Sequence, residues 1–478
     1  MHDRWDDLLD QMTGEMPGAD SLRESGPRVS RSMIARVLTR VMLAAGPITR
    51  GDLARGEMLL RPSTLAAGTV AKAIDSLLRV RLLREPDEPR RGTPGRPTSP
   101  LVLNGSDWML VGIHVDQSSP ETDELTGVLC GLDRVPIDQF GPYSVPRSQD
   151  EDLTQLVDGL LEVYGQLTQH LPAPLERSCR DEVVLGVGVE LGGQLHEGHV
   201  VLATHSGWRD IPLHETLSQK IGVPVVLEND TNALALHYYY SRCFTSLDAA
   251  LVSVFYKGVG GALILDGRPY RGSRGLAPEP GHLTVEHAGE DHEKCGAEGG
   301  FAAPCACSEP DRPRYGHVDA LATPKRIEAE LGGRSLREAT SASRLRGGQL
   351  LAPEAQVLSR AGRALGRGLA QLANITNPGQ VLLRLPQPLA EAAPQSSGAE
   401  YLAAAEGALD EAFSTAASDA RSGKRHLEVQ GYTNSQAASE GALAAATTVL
   451  DRFLEHARGR HGHPLAAPRA QAAMTSKA

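Results

Sequence analysis

A polar triplet that directly follows a buried strand is the feature that most constrains the fold of this chain. The apolar run at residues 223–227 predicts a buried strand, and Glu228, Asn229 and Asp230 come immediately after it. In an α/β protein, side chains at the carboxyl end of such a strand lie where ligands bind. The triplet therefore indicates an α/β fold with a polar ligand site at this strand end.

Predicted strands and helices alternate through most of the chain, which supports the α/β class. The predicted strands cover residues 109–115, 125–132, 183–189, 250–255, 262–265 and 380–385. The predicted helices cover residues 151–170, 212–221, 361–375, 400–414 and 435–456. A glycine turn at residues 258–261 lies between two of the strands, and glycine there lets the backbone come close to a partner.

Length and composition bound the class of protein. A chain of 478 residues predicts two or three domains. A hydrophobic fraction of 41% and a charged fraction of 22% are typical of a soluble globular protein. No run of about 18 apolar residues is present and the first residues lack a signal-peptide pattern, so we expect a cytoplasmic protein with no membrane partner.

The charge is distributed unevenly along the chain. The net charge is −11, yet residues 31–100 carry 13 Arg or Lys against 6 Asp or Glu, a local balance of +7. A basic module on an acidic body is typical of a nucleic-acid-binding arm. We therefore expect a loose leader at 1–30, a winged-helix DNA-binding domain at 31–105, a ligand-binding body at 106–459 and a disordered tail at 460–478.

The basic module has the pattern of a helix-turn-helix followed by a wing. Three predicted helices with tight connections begin near residues 32, 50 and 64, and the last of three such helices enters the major groove. An arginine-rich segment at 89–97, flanked by two short β-compatible pieces, predicts the wing. The candidate DNA-contacting residues are Ser63, Thr64, Thr69 and Lys72 on the third helix and Arg90, Arg91 and Arg96 in the wing. A small three-helix interaction module is the alternative.

Several segments, taken together and in order, resemble the ROK family of repressors and sugar kinases over nearly the whole chain. They are the N-terminal winged helix, Gly207-Trp208, residues 224–233 with Glu228-Asn229-Asp230, the turn 258–261, Asp266-Gly267, residues 270–272 and residues 275–282. The resemblance implies a two-lobed actin-like ATPase (ribonuclease H-like) body of the sugar-kinase type, fused to a winged helix as in the repressor branch.

The resemblance also implies a sugar site. In the kinases of the family, the residue that matches Asp230 is the general base, and the residue that matches Asn229 bonds a neighbouring hydroxyl. The residues that match Glu279 and His282 also hold sugar hydroxyls, and Asp319 stands where the family has a longer Glu that contacts the sugar. The alternative for Asn229 and Asp230 is a strand-end turn with a helix cap. Glu190, Leu191 and Trp208 are further cleft candidates without an assigned role.

The chain departs from the family pattern where a kinase binds nucleotide. His114 stands in place of the Asp that opens the first phosphate loop, and no glycine pair follows it. A bulky turn obstructs backbone approach to phosphate, and loss of the carboxylate removes a site for organising Mg²⁺. The late adenosine-side motif reads Arg384-Leu385-Pro386, also without a glycine pair. We therefore expect no phosphoryl transfer and no catalytic residues.

Two closely spaced cysteines, Cys305 and Cys307, point to a metal rather than to redox pairing. The resemblance implies a structural zinc bound by these cysteines and His282, with His317 in place of the family's third cysteine. Cys295 is the rival fourth ligand, and His or Cys would each complete a tetrahedral site. The remaining alternative is that these cysteines and histidines are unrelated and hold no metal.

The sequence thus predicts a regulator, most simply a repressor, that binds operator DNA and responds to a sugar or sugar derivative. We expect a homodimer or a dimer of dimers, because two-fold operator half-sites require two DNA-binding heads. Two alternatives stay open: an ATP-dependent sugar kinase with an added DNA-binding arm, and a regulator that senses a protein partner.

Overall fold

The computed structural model describes residues 2–14, 29–44, 46–56, 65–86, 99–119, 121–147, 153–169, 171, 183–196, 198–203, 208–275, 277–286, 315–339, 352–391, 396–412 and 427–459. It contains two compact units. The first comprises Met1–Asn104 together with Leu450–Ala478, and the second comprises Gly105–Val449. No described helix combines the length and the apolar composition needed to cross a bilayer.

The first unit contains the predicted helix-turn-helix and the base of the wing. Its elements are α1 (His2–Thr13), α2 (Arg31–Met42), α3 (Arg50–Arg55), α4 (Ala67–Arg79), β1 (Leu83–Arg84) and β2 (Val102–Leu103). Thr49 caps α3 through a reciprocal capping box with Asp52, which satisfies two orphan donors of a short helix. The helices enclose Ile34, Leu53 and Ile74, and β1 pairs with β2 antiparallel.

Two predictions for this unit need correction. The third helix begins at Ala67, so Ser63 and Thr64 precede it and are not on it as predicted. Those two residues lie outside the described residues, as do Arg90, Arg91 and Arg96.

The expectation of a loose leader is wrong for residues 2–13, which form α1. Its buried residues Trp5, Leu8, Leu9 and Met12 recur at helical spacing. Trp5 packs edge-on against Phe453 at 5.7 Å between ring centroids. The last turns of the C-terminal helix therefore belong to the first unit and not, as expected, to the body, because they supply part of the apolar surface that covers α1.

The second unit is built on two five-stranded sheets. The strands of the first sheet are β3 (Met109–Asp116), β4 (Thr122–Gly131), β5 (Pro136–Pro146), β6 (Val184–Leu191) and β10 (Val225–Asn229). A small antiparallel sheet contains β7 (Gln194–His196), β8 (His199–Ala203) and β9 (Trp208–Ile211). The strands of the second large sheet are β11 (Ala249–Val254), β12 (Val259–Leu265), β13 (Arg268–Tyr270), β14 (Gln380–Pro386) and β15 (Leu427–Tyr432).

The helices of this unit follow in chain order. They are α5 (Thr154–Gln169), α6 (Leu213–Ile221), α7 (Asp230–Tyr240), α8 (Val318–Ala322), α9 (Pro324–Glu330), α10 (Leu336–Ala339), α11 (Ala352–Thr376), α12 (Gln387–Ala390), α13 (Ser397–Ala412) and α14 (Asn434–Ala457). A short 3₁₀ turn spans Pro280–His282.

The two large sheets have the same topology. Their strand orders are β10-β6-β3-β4-β5 and β13-β12-β11-β14-β15. In each sheet the first three strands along the chain form an antiparallel meander, and the two later strands add in parallel on the other side of the first strand. This repeated β-meander plus parallel pair is the two-lobed arrangement expected of an actin-like body.

Glycines allow α14 to pack directly on the first sheet. A methyl group at Gly112 would overlap the carbonyl oxygen of Ala442 and lie 2.5 Å from the amide nitrogen of Ala446. A methyl group at Gly188, on the neighbouring strand, would overlap the carbonyl oxygen of Ala445. The close approach places α14 against the carboxyl ends of β3 and β6, where the polar side chains lie.

Candidate functional site

Asn229 ends β10 and caps the helix that follows. Its Oδ1 accepts from the amides of Thr231 and Asn232, at 3.0 and 3.2 Å, and its Nδ2 donates to the carbonyl of Gly193 at 3.0 Å. This is the capping role that the sequence left open, and it satisfies amides at the start of α7. The cap positions Asp230 as the first residue of the helix. One amide hydrogen of Asn229 remains for a ligand.

Asp230 has one carboxylate oxygen that accepts hydrogen bonds from the protein, and its surroundings raise its pKa. Its Oδ1 accepts from the amide and the hydroxyl of Thr231, at 2.7 and 3.1 Å. Burial and the nearby Glu190 carboxylate raise the pKa of Asp230 to about 6, against the opposing effects of Thr231 and His114. Its Oδ2 faces Gly192, where an added methyl group would lie 3.5 Å away. Asp230 is therefore an acceptor whose charge depends on pH near neutrality.

Glu279 and His282 flank the 3₁₀ turn and lie near Asp230. Burial, then the charges of Asp319 and Asp230, raises the pKa of Glu279 to about 7. His282 Nε2 lies 3.8 Å from Glu279 Oε2, and its Nδ1 lies 3.6 Å from Asp319 Oδ2. Asp230, Glu279, His282 and Asp319, all predicted site residues, thus lie near one another.

Asp319 holds the glycine turn. Its Oδ1 accepts from the amide of Val259 at 2.7 Å. A methyl group at Gly260 would overlap the Thr231 hydroxyl, and one at Gly261 would lie 2.5 Å from Pro280 Cγ. These glycines are required for packing between β12, α7 and the 3₁₀ turn, so the turn does not by itself indicate a nucleotide site.

The two histidines predicted to bind zinc lie side by side. The ring centroids of His282 and His317 are 5.8 Å apart, and two imidazoles on one tetrahedral zinc would be separated by roughly 5 Å. His282 also faces carboxylates that could orient its second nitrogen. Cys295, Cys305 and Cys307 lie outside the described residues, which themselves contain no group of three metal-binding side chains. The separation of the two histidine rings is compatible with both binding one zinc ion.

His114, at the position predicted for the first phosphate loop, forms a buried pair with Glu190. The two residues are in register on adjacent strands, and His114 Nδ1 contacts Glu190 Oε1. Burial alone would lower the pKa of His114, but the charge of Glu190 raises it. A methyl group at Gly441 of α14 would overlap Glu190 Oε1 and lie 2.7 Å from His114 Nδ1. The sequence marked His114 as a departure from the family, but its partner could not be inferred without the strand order.

Arg384 lies two residues before the end of β14, in the segment where the sequence lacks the glycine pair that the resemblance implies. It is buried, donates to Glu440 at 2.9 and 3.1 Å, and lies 3.9 Å above the ring of Tyr432. The hydroxyl of Tyr238 donates to the same Glu440 carboxylate at 2.7 Å. Charged and aromatic side chains therefore fill this end of the strand with contacts to one another.

Of the candidate DNA-contacting residues, only Thr69 and Lys72 lie among the described ones. Both are on α4, and Lys72 is exposed. Val70 and Ile74, on the opposite side of the helix, are buried against the rest of the unit. Thr69 and Lys72 thus lie on the side of α4 that is not packed against the core of the unit.

Comparison with known proteins gives a consistent picture. The ROK family model matches residues 156–417. A xylose repressor of Bacillus subtilis (strain 168) is 27% identical over 352 residues, which are 73% of this chain and 81% of the relative. The DNA-binding transcriptional repressor Mlc of Escherichia coli (strain K12) is 23% identical over 356 residues, 74% of this chain and 80% of the relative. The crystal structure of a ROK family transcriptional regulator, a homologue of E. coli Mlc, superposes with a TM-score of 0.62 at 20% identity and covers 90% of this chain and 99% of its own.

Proposed function

Because the chain belongs to the ROK family, whose model matches more than half of its residues, we propose that it is a DNA-binding transcriptional repressor whose body binds a sugar as effector. The observation that supports the proposal is the joint presence of a unit with three helices and an antiparallel strand pair and of a body in which Asp230, Glu279 and His282 converge. Repressor relatives match about three quarters of the chain, which supports the same function.

The sugar would bind through its hydroxyls. Asp230 accepts a hydroxyl hydrogen, and Glu279 and His282 accept or donate to neighbouring hydroxyls. A site built from groups that need hydroxyl partners rejects ligands that lack them, because its polar groups would be left unpaired. D-Xylose is the first candidate effector, since relatives are named xylose repressors.

Three features argue against phosphoryl transfer as the function of this body. His114 and Glu190 form an internal pair at the predicted first phosphate loop. Asp319 accepts from the amide of Val259 in the glycine turn, and Arg384 fills the end of β14. The competing proposal, a sugar kinase with a DNA-binding arm, requires ATP-dependent phosphorylation of a sugar by the purified protein.

A structural zinc is part of the proposal. His282, His317, Cys305 and Cys307 would hold it, and the metal would close the loop that carries His282. Metal analysis of two variants distinguishes His317 from Cys295 as the fourth ligand. If His317 is the ligand, Cys295→Ser retains one zinc per chain and His317→Ala loses it. The reverse result assigns the fourth position to Cys295.

The test combines DNA and ligand binding on the full chain. Fluorescence anisotropy with labelled DNA from the region upstream of the protein's own gene should show binding that a sugar changes. Thermal stability should rise with D-xylose or another sugar of a pentose and hexose panel by mass action, and should not respond to Mg-ATP. Asp230→Ala should lose the sugar response. Stabilisation by Mg-ATP would favour the kinase, and a sugar response retained in Asp230→Ala would refute the assigned site.

We place this regulator in the cytoplasm as a dimer or a dimer of dimers. Operators with two-fold half-sites require two heads at fixed spacing. Sedimentation of the protein with and without DNA tests the stoichiometry, and a monomer on DNA would refute it.

A further inference from the structure

Glu190 is a buried carboxylate with one oxygen that has no partner. Its side chain is only 1% exposed. Oε1 contacts His114, whereas Oε2 makes no hydrogen bond with any described residue. A buried carboxylate oxygen without a donor is unfavourable, so this atom is suited to a donor from outside the protein.

An unpartnered oxygen alone does not make a ligand site, as Glu354 shows. Glu354 is also buried, has one oxygen bonded to Arg334 at 3.0 Å, and has an Oε2 without a partner among the described residues. It lies in the first turn of α11, remote in sequence from the strand ends that carry the polar site. The location of Glu190 is what distinguishes the two.

Glu190 lies at the strand end that carries Asp230. It is the penultimate residue of β6 and is in register with Glu228 on β10, two residues before Asp230. Its carboxylate is close enough to contribute to the raised pKa of Asp230. Glu228, in contrast, has both oxygens bonded, one to Arg271 at 2.7 Å and the other to Asn232 at 3.3 Å. Of the two glutamates in this register, Glu190 is the one with an oxygen still available.

His114 fixes the orientation of Glu190. The imidazole contacts Oε1 from the adjacent strand, and Gly441 closes over both side chains because a side chain there would overlap them. The histidine therefore holds the carboxylate through Oε1, and Oε2 is the oxygen that it does not contact. Such preorganisation is what a specific polar contact requires.

From this geometry we infer that Glu190 contacts the effector sugar directly, that its Oε2 accepts the hydrogen of one sugar hydroxyl, and that His114 is its positioning residue. The inference rests on the proposed sugar-binding function and extends it. It gives a role to Glu190, which the sequence marked only as a cleft candidate, as a specificity-determining acceptor near Asp230.

The test measures which hydroxyl Glu190 recognises. Isothermal titration of the full chain uses the tightest binder among D-xylose, D-glucose, D-galactose, D-mannose and N-acetyl-D-glucosamine, together with its monodeoxy analogues. Glu190→Gln should bind the parent sugar roughly tenfold more weakly, since a hydrogen bond to a charged group is lost. One deoxy analogue lacks the hydroxyl that Glu190 binds. The wild type and Glu190→Gln should bind that analogue with equal affinity.

Glu354→Gln is the matched control. It changes the same chemical group and should shift the thermal midpoint without altering discrimination among the analogues. Glu190→Asp retains the charge but withdraws the oxygen, so it should show the same selective loss if Glu190→Gln does not fold. His114→Gln should weaken binding of the parent sugar and reduce the discrimination at that same hydroxyl.

The outcomes separate the two proposals. Glu190→Gln could discriminate among the deoxy analogues as the wild type does, or it could lose the same affinity for every analogue. Either result overturns the role of Glu190 and leaves the proposed function intact. Absence of binding by the wild-type protein to every sugar of the panel overturns both.

Discussion

The contact between α14 and the first sheet makes Gly112→Ala a strong test of the fold around the site. The added methyl group would overlap the carbonyl oxygen of Ala442 and lie 2.5 Å from the amide nitrogen of Ala446. Ordinary contact begins at 3.4 Å and the carbonyl oxygen is the nearest atom, so helix and strand must separate by about 1.5 Å. The atoms in the way are backbone atoms, which cannot rotate aside as a side chain can. Gly188 meets the same helix on the next strand, so the helix cannot tilt locally to relieve the overlap.

We expect Gly112→Ala to destabilise the body by about 3 kcal/mol, at the upper end of the range for overpacking. For a unit of this size that corresponds to a fall of the thermal midpoint by roughly 5 °C. Differential scanning calorimetry of the full chain measures it.

Gly165→Ala on α5 is the matched control. An added methyl group there meets nothing within 4 Å, so the same substitution should stabilise the helix by about 0.5–1 kcal/mol. If the midpoint of Gly112→Ala equals or exceeds that of the wild type, the reasoning is refuted, because α14 would then not lie directly on β3.

Four further predictions test the site and the DNA-binding unit. Sugar affinity should increase as pH rises from 5 to 7.5, because a pKa raised to about 6 leaves Asp230 protonated at low pH, and a neutral carboxyl group accepts a hydroxyl hydrogen more weakly than a carboxylate does; titration calorimetry that gave a flat profile would contradict this. Arg384→Met should lower stability by about 3 kcal/mol, since it leaves the carboxylate of Glu440 without its cation, and Arg384→Lys should recover only part of the loss; an unchanged thermal midpoint would contradict it. Metal analysis should find one zinc per chain. His317→Ala and chelation should each remove the zinc and lower the thermal stability together. A protein that contains no zinc after purification from zinc-containing medium would contradict this prediction. Lys72→Ala should reduce the slope of DNA affinity against salt concentration by about 1 if it contacts a phosphate, and an unchanged slope would exclude that contact.

The sequence anticipated the parts of the site that are determined locally. The run at 223–227 followed by Asn229 predicted both a strand end and a helix cap, and the structure contains both. The cap of α3 has the same local character, since Thr49 and Asp52 form it three residues apart. These features depend on side-chain hydrogen bonds within one turn of backbone, so neighbouring residues suffice to predict them.

The sequence misjudged α1 because the residues that stabilise it are far away along the chain. Trp5 and Phe453 are at opposite ends of the sequence, and His456 lies 3.0 Å from Asp6. A short helix is marginal by itself and becomes stable through tertiary packing, which no local pattern reports. The polar, glycine-containing stretch after α1 made the whole segment resemble a loose leader.

The amino-acid sequence by itself determined the α/β class, the helix-turn-helix and the strand end that carries Asn229 and Asp230, because periodicity, capping and charge act over a few residues. Only the tertiary structure decided that His114 pairs with Glu190, 76 residues away, and that Arg384 pairs with Glu440, 56 residues away. These pairs depend on strand order and on how α14 packs against the neighbouring strands. Both are set by how buried surfaces pack, and packing joins residues irrespective of their distance along the chain.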